Sequence, residues 1–146
     1  MKIALGADHA GYTIKNSIKK FLDHKGFIYT DFGTFRISEG EYPEYAYKVS
    51  DAITKGMYDR GILVGTTGIG MCITANKLKG TRAAVVYDRD TAHLSRLHND
   101  ANVLCLGATY LDESKALDIV EIWLSTSFEG GKYQKWISLI SKLTGL

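Results

Sequence analysis

Gly61-Ile62-Leu63-Val64-Gly65-Thr66-Thr67-Gly68-Ile69-Gly70-Met71-Cys72-Ile73-Thr74-Ala75-Asn76-Lys77 is the stretch on which the reading of this chain turns. An apolar run of strand type stops at Gly65. Glycines at 65, 68 and 70 then let the backbone turn tightly before helical spacing begins at Ile69. The segment predicts a strand, a bare loop and a helix N-terminus. The first N–H groups of such a helix have no internal partner and lie at the positive end of its dipole, so they suit an anionic oxygen. Thr66 and Thr67 add hydroxyl donors, and the expected anion site runs through Thr66, Thr67, Gly68, Ile69 and Gly70. A doubly wound sheet that binds nothing needs the same kind of turn, so both readings stand at this point. Spacing excludes two specific sites: there is no G-x-x-x-x-G-K-[ST], and the glycine order is G-x-x-G-x-G rather than the dinucleotide G-x-G-x-x-G.

Outward from this centre, strands and helices alternate. Lys2 to Ala7 reads as a buried strand, followed by a helix carrying Ile14, Ile18, Phe21 and Leu22 that stops at Gly26. Phe27 to Phe32 is the second strand and Gly33 to Glu41 a loop. Pro43 opens a helix with a stripe at Ala46, Val49 and Ile53, ended by Gly56. Ala83 to Val86 is the fourth strand, Asp88 or Asp90 caps a helix reaching about His98, and Val103 to Leu106 is the fifth strand. Asp112 caps a helix through Ala116, Leu117, Val120, Trp123 and Leu124. A last helix after Gly130-Gly131 carries Trp136, Ile137, Ile140 and Leu143. This rhythm predicts an α/β fold: a doubly wound five-stranded parallel sheet with helices on both faces, a Rossmann-like three-layer sandwich in one domain over 1–146. The last helix packs on the sheet or on a partner subunit.

A chain of 146 residues buries about two-thirds of its unfolded surface. A net charge of +2, with the basic residues dispersed, argues against nucleic acid as a partner. Cys72 and Cys105 make no disulfide framework, and no apolar run reaches membrane-spanning length or forms a signal-peptide core at the N-terminus. A cytoplasmic protein with no membrane partner is expected. The His and Cys spacings match no zinc pattern, so no metal is predicted.

In open parallel sheets the ligand crevice lies beyond the carboxyl ends of the strands. Asp8-His9 follows strand one, Thr34 follows strand two and Thr66-Thr67 ends strand three, so these side chains converge on one edge. His98-Asn99-Asp100 follows a helix and precedes a strand, which places it on the opposite edge. If His98 works in a site, it reaches into a neighbouring subunit's crevice, most simply in a two-fold dimer with composite sites. Otherwise His98 caps its helix, since cations suit that end, and Asp8 caps the first helix. Cys72 sits in the first turn of the central helix, where it is either thiolate-prone or inert packing.

Several blocks, in order and spacing, resemble the family of ribose-5-phosphate isomerase B and the galactose-6-phosphate isomerase subunits. They are Gly6-x-Asp8-His9-Ala10-Gly11, Glu41-Tyr42-Pro43, Gly61-Ile62-Leu63 with Thr67-Gly68-Ile69-Gly70, Ala75-Asn76-Lys77, Arg82-Ala83-Ala84, Ser95-Arg96-x-His98-Asn99-Asp100-Ala101-Asn102-Val103, and Gly130-Gly131. The resemblance implies a cofactor-free aldose–ketose isomerase of carbohydrate metabolism, acting on ribose 5-phosphate and ribulose 5-phosphate of the pentose phosphate pathway. It also implies a homodimer or a tetramer of dimers. Proton transfer between C2 and C1 of the opened sugar phosphate would pass through an enediolate. By position, the resemblance assigns ring opening to His98 from the partner subunit, and the enediolate to Thr67 and the N–H groups of Gly68, Ile69 and Gly70. Asp8, His9 and Asn99 would bind hydroxyls or phosphate.

The chain also departs from the family pattern. One kind of member carries a Cys base at the position of Gly65, another a Glu at the position of Met71, and neither residue here removes a proton. Thr109 and the run Lys132-Tyr133-Gln134-Lys135-Trp136 stand where phosphate-binding arginines are usual. The reading is therefore an isomerase with a relocated base, Cys72 or a carboxylate, and a phosphate site using His9, Lys132 and helix N–H groups. The alternatives are a subunit that needs a different paired chain, or a sugar-phosphate binding protein without catalysis.

Overall fold

Three strands hold the centre of the molecule because their side chains are apolar on both faces. In the computed structural model, which describes residues 1–36 and 40–146, these are β1 (Lys2–Ala7), β3 (Arg60–Gly65) and β5 (Val103–Gly107). The edge strands are β2 (Ile28–Asp31) and β4 (Ala83–Val85), and all neighbours pair parallel in the order β2-β1-β3-β5-β4. Leu5 aligns with Ile62, and Ile62 with Leu104, so one layer of the core runs straight across the sheet.

Strand alternation divides the core in two. Ile3, Leu5, Ala7, Ile62, Val64, Leu104 and Leu106 face α1 (Tyr12–Lys25), α4 (Arg89–Leu97) and α5 (Glu113–Ser125), with Ile18, Ala92 and Trp123 fully buried against them. Ala4, Leu63, Val103 and Cys105 face α2 (Tyr42–Thr54) and α3 (Ile69–Ala75) through Ala46, Val49, Met71 and Ala75. The predicted three-layer arrangement is the observed one.

Boundaries differ where side chains intervene. The second strand stops at Asp31 rather than Phe32, where the Asp31 carboxylate accepts the Gly33 N–H at 2.9 Å and turns the chain. Part of the loop expected over Gly33 to Glu41, residues 37–39, lies outside the described residues. Asp88, not Asp90, caps α4 by accepting the Thr91 N–H at 2.7 Å, and Asp112 caps α5 by accepting the Lys115 N–H at 2.8 Å. Gly11 rather than Asp8 holds the N-cap position of α1. Asp8 instead braces the turn that leads into that helix, its Oδ1 accepting the Gly11 N–H at 3.1 Å.

The last helix, α6 (Lys132–Thr144), has no buried residue. Its apolar side chains stay in the open, Trp136 at 57% and Leu143 at 77% exposure. Among the described residues no helix is long and apolar enough to cross a membrane.

Candidate active site

The strand order reverses between β1 and β3: the chain leaves β1 toward β2 on one side and leaves β3 toward β5 and β4 on the other. Loops that diverge in this way open a crevice at the carboxyl ends of the two strands. Here the crevice has a volume of about 370 Å³ and is lined by Asp8, by Gly65 to Met71, and by Tyr42 and Ile73. Ala7 pairs with Val64, so Asp8 stands directly beside Gly65.

The central loop is shaped by its glycines. Gly68 takes φ +81, and a Cβ there would lie 3.0 Å from the backbone of Leu106, so the loop passes against β5 without room for a side chain. Thr67 Oγ1 accepts the Ile69 N–H at 3.1 Å, which keeps its own hydroxyl hydrogen available to a ligand. Among the described residues the Gly70 and Met71 N–H groups have no backbone partner. Tyr87 donates its hydroxyl to the Thr67 carbonyl at 2.8 Å and holds the loop from outside. Tyr42 crosses the start of α3, its ring carbons 2.7 Å from where a Gly70 Cβ would stand, so only glycine admits it there.

Asp8 is 5% exposed, and its two oxygens differ. Oδ1 is bound by the Gly11 N–H, whereas Oδ2 has no hydrogen-bond partner among the described residues and lies 3.5 Å from the bare Cα's missing Cβ at Gly65. His9 is exposed next to it.

The other predicted residues gather elsewhere. His98 closes α4 as its C-cap and stacks on Tyr133, with ring centroids 4.3 Å apart and planes 14° off parallel. Tyr133 meets Trp136 edge-on at 5.4 Å, Lys132 Nζ lies 5.1 Å over the Tyr133 ring, and Glu129 Oε2 is 4.0 Å from His98 Nε2. The turn after His98 is locked: Asp100, at φ 47, accepts from Arg96 at 2.7 Å and from Arg82 at 2.8 Å. Asn99 is exposed at the groove beneath α6. One chain thus carries two clusters at different places, the crevice and the His98 wall.

Over residues 3–140 the chain matches the family described as Ribose/Galactose Isomerase. It belongs to that isomerase family. Ribose-5-P isomerase B of Listeria innocua is 41% identical over 143 residues, covering 98% of this chain and 97% of that one. The structure of Clostridium thermocellum ribose-5-phosphate isomerase B is similar with a TM-score of 0.97 at 42% identity, covering 99% and 98% of the two chains. That of the Mycoplasma genitalium isomerase B with bound ribulose-5-phosphate gives 0.94 at 38% identity, covering 99% and 96%.

Set in this isomerase frame, Cys72 does not join the crevice. Met71 points in from α3 and is buried, while Cys72, the next residue around the helix, turns its Sγ toward the Ala83 carbonyl at 3.3 Å and the Asn76 amide at 3.4 Å. The neighbouring Cys105 thiol, the Val85 backbone and Asn76 lower the Cys72 pKa to about 7 against the opposing effect of burial, and burial pushes Cys105 well up. This is a sulfur pair on the α3 face of the sheet, and Cys72 does not line the crevice. Among the described residues no group of three or more His, Cys, Asp or Glu forms a metal cluster. Tyr42 and Tyr87 are the lining and bracing residues that sequence reasoning missed. Tyr42 stood in the Glu41-Tyr42-Pro43 block, but no local pattern places a residue at the start of α2 over the start of α3.

Proposed function

We propose that this protein is a cofactor-independent aldose–ketose isomerase that interconverts ribose 5-phosphate and ribulose 5-phosphate through an enediolate. The observation that carries the reading is the crevice at the strand-order reversal. There a buried carboxylate lines the same crevice as the Thr67 hydroxyl and the Gly70 and Met71 N–H groups, which have no backbone partner among the described residues, in a chain whose whole length resembles ribose-5-phosphate isomerases B. Donors fixed in place before the reaction stabilise an oxyanion as it forms, because they need no reorganisation at that moment. Thr67 with the N–H groups of Gly68 and Gly70 holds the enediolate oxygens, the Ile69 N–H being taken by Thr67 Oγ1, and Thr66 lines the same wall.

The far-edge cluster completes the site of a second copy. An apolar α6 without one buried residue, and a stacked His98 facing away from its own crevice, both suit a two-fold dimer. Stacking on Tyr133 sets the plane of the His98 ring, which then opens the cyclic sugar in the partner's crevice. Asn99 binds hydroxyls, and His9 with Lys132 meets the phosphate. Such an enzyme works in the cytoplasm on free sugar phosphates. Neither alternative, a binding protein or a subunit awaiting a different chain, is favoured beside relatives named as isomerases at about 40% identity.

The test is direct: the purified protein alone, with ribose 5-phosphate, is expected to form ribulose 5-phosphate, and no conversion would sink the reading. His98→Asn is expected to slow turnover of ribose 5-phosphate by about 10²-fold. A four-carbon sugar phosphate, which has no ring to open, should be affected much less, and equal losses on both would refute the ring-opening role.

A further inference from the structure

We propose that Asp8 is the proton-transferring base of this site, working from Oδ2 on the carbon atoms of the opened sugar. The assignment rests on the isomerase reading and names the group which that reading leaves open. An isomerase of this kind must take a proton from carbon and return it to the adjacent carbon, so one acceptor has to touch both positions.

The crevice offers very few acceptors. Gly65, Ile69, Gly70, Met71 and Ile73 have none in their side chains, and Thr66 and Thr67 carry hydroxyls whose proton affinity is too low. Tyr42 presents a phenol, which serves as a donor. Cys72 is turned to Ala83 and Asn76 on another side of α3. Among the described residues that line the crevice, Asp8 alone brings a carboxylate.

Its geometry suits the task. The Gly11 N–H fixes Oδ1 at 3.1 Å, which sets the carboxylate plane and leaves Oδ2 without a partner among the described residues. Although Asp8 is 5% exposed, Oδ2 is not sealed in, because it borders the crevice beside a residue with no side chain. A Cβ on Gly65 would stand 3.5 Å from Oδ2 and 3.1 Å from Met71 Cγ, in the gap between the two. The bare glycine therefore opens a passage for a sugar carbon to reach the carboxylate. Met71 and Ile73 form apolar walls of the same crevice.

The step balances. Asp8 Oδ2 takes the proton from C2 of the open aldose. The C2–H electron pair becomes the C1–C2 double bond, and the C1 carbonyl pair moves onto O1. The carboxylic acid then gives the proton to C1, the double-bond pair forms the new C1–H bond, the O2 hydroxyl proton passes to O1, and O2 becomes the ketone.

Asp8→Asn keeps the oxygen that accepts from Gly11 and so preserves the turn. It is expected to lower kcat for ribose 5-phosphate by about 10³-fold. The Kd for ribose 5-phosphate by calorimetry should change less than about threefold, and exchange of deuterium from heavy water into C2 should cease. Formate added to Asp8→Ala, filling the vacated space, should restore part of the lost kcat, a response that loss of a merely structural residue does not give. The assignment is overturned if Asp8→Asn keeps kcat within tenfold of the wild type. It is equally overturned if the loss appears in Kd and KM with kcat retained, which would make Asp8 a substrate holder. A wild type that neither isomerises nor exchanges deuterium defeats the isomerase reading itself, and this assignment with it.

Discussion

Lys15 lies among the core residues of α1 yet is charged, and its neighbours explain how it is tolerated. Its ammonium, 1% exposed, pairs with Asp31 at 2.9 Å, donates to the Thr34 carbonyl, and lies 5.6 and 5.2 Å from the rings of Tyr12 and Phe35. Burial pushes the Asp31 carboxyl up, but the Gly33 N–H and the Lys15 and Lys19 ammonium groups outweigh it and hold the pKa below its ordinary value. A depressed carboxyl contributes stability that is present above its unfolded value of about 3.9 and is lost as pH falls through the folded value. Asp31→Asn should therefore destabilise the fold at neutral pH by about 3 kcal/mol, because Lys15 is left buried without its counter-charge. The difference from wild type should shrink steadily below about pH 4. Denaturant titrations across that range check it, and a pH-independent difference would contradict the argument. Cys72 supports the opposite expectation for activity. Since its sulfur is spent on Ala83 and Asn76, Cys72→Ala should keep kcat within a few-fold of wild type, and a complete loss in a folded variant would reinstate the thiol as base.

The glycine loop into α3 is the element on which the crevice depends. Gly68→Ala has to hold a Cβ at φ +81 and 3.0 Å from the Leu106 backbone. It should cost about 2 kcal/mol in thermal unfolding, and it should lower kcat because the N–H groups that face the crevice shift with the loop. An unchanged kcat would separate the loop from the chemistry. The His98 turn is built differently. Asp100 sits between Arg82 and the buried Arg96, while Asn102 accepts the Arg82 N–H at 2.7 Å and Asn76 accepts the Ala83 N–H at 2.8 Å. Many residues in the blocks that carry the family resemblance are thus scaffold. They hold β4, the end of α4 and the start of β5 in register, and only His98 and Asn99 project from that frame.

On the scale of the whole molecule, α6 is the feature that points beyond one chain. Leu143 is 77% exposed, so Leu143→Glu removes no internal packing. In a dimer sealed by this helix, it should convert a particle of twice the chain mass into one of single mass by sedimentation, with isomerase activity falling as composite sites come apart. A monomeric wild type would remove the ground for composite sites. The choice of Asp88 over Asp90 was not legible in the sequence, whereas the strands, the helix cap at Asp112, the glycine turn and the family all were. Each is encoded within a few consecutive residues, by alternation, helical spacing, a capping side chain or a run of small residues. The tertiary structure alone decided which carboxylate oxygen borders the crevice, that Tyr42 crosses Gly70, and that His98 stacks on Tyr133. Those outcomes depend on which distant segments become neighbours and which groups lose their water, and no local pattern in the chain records either.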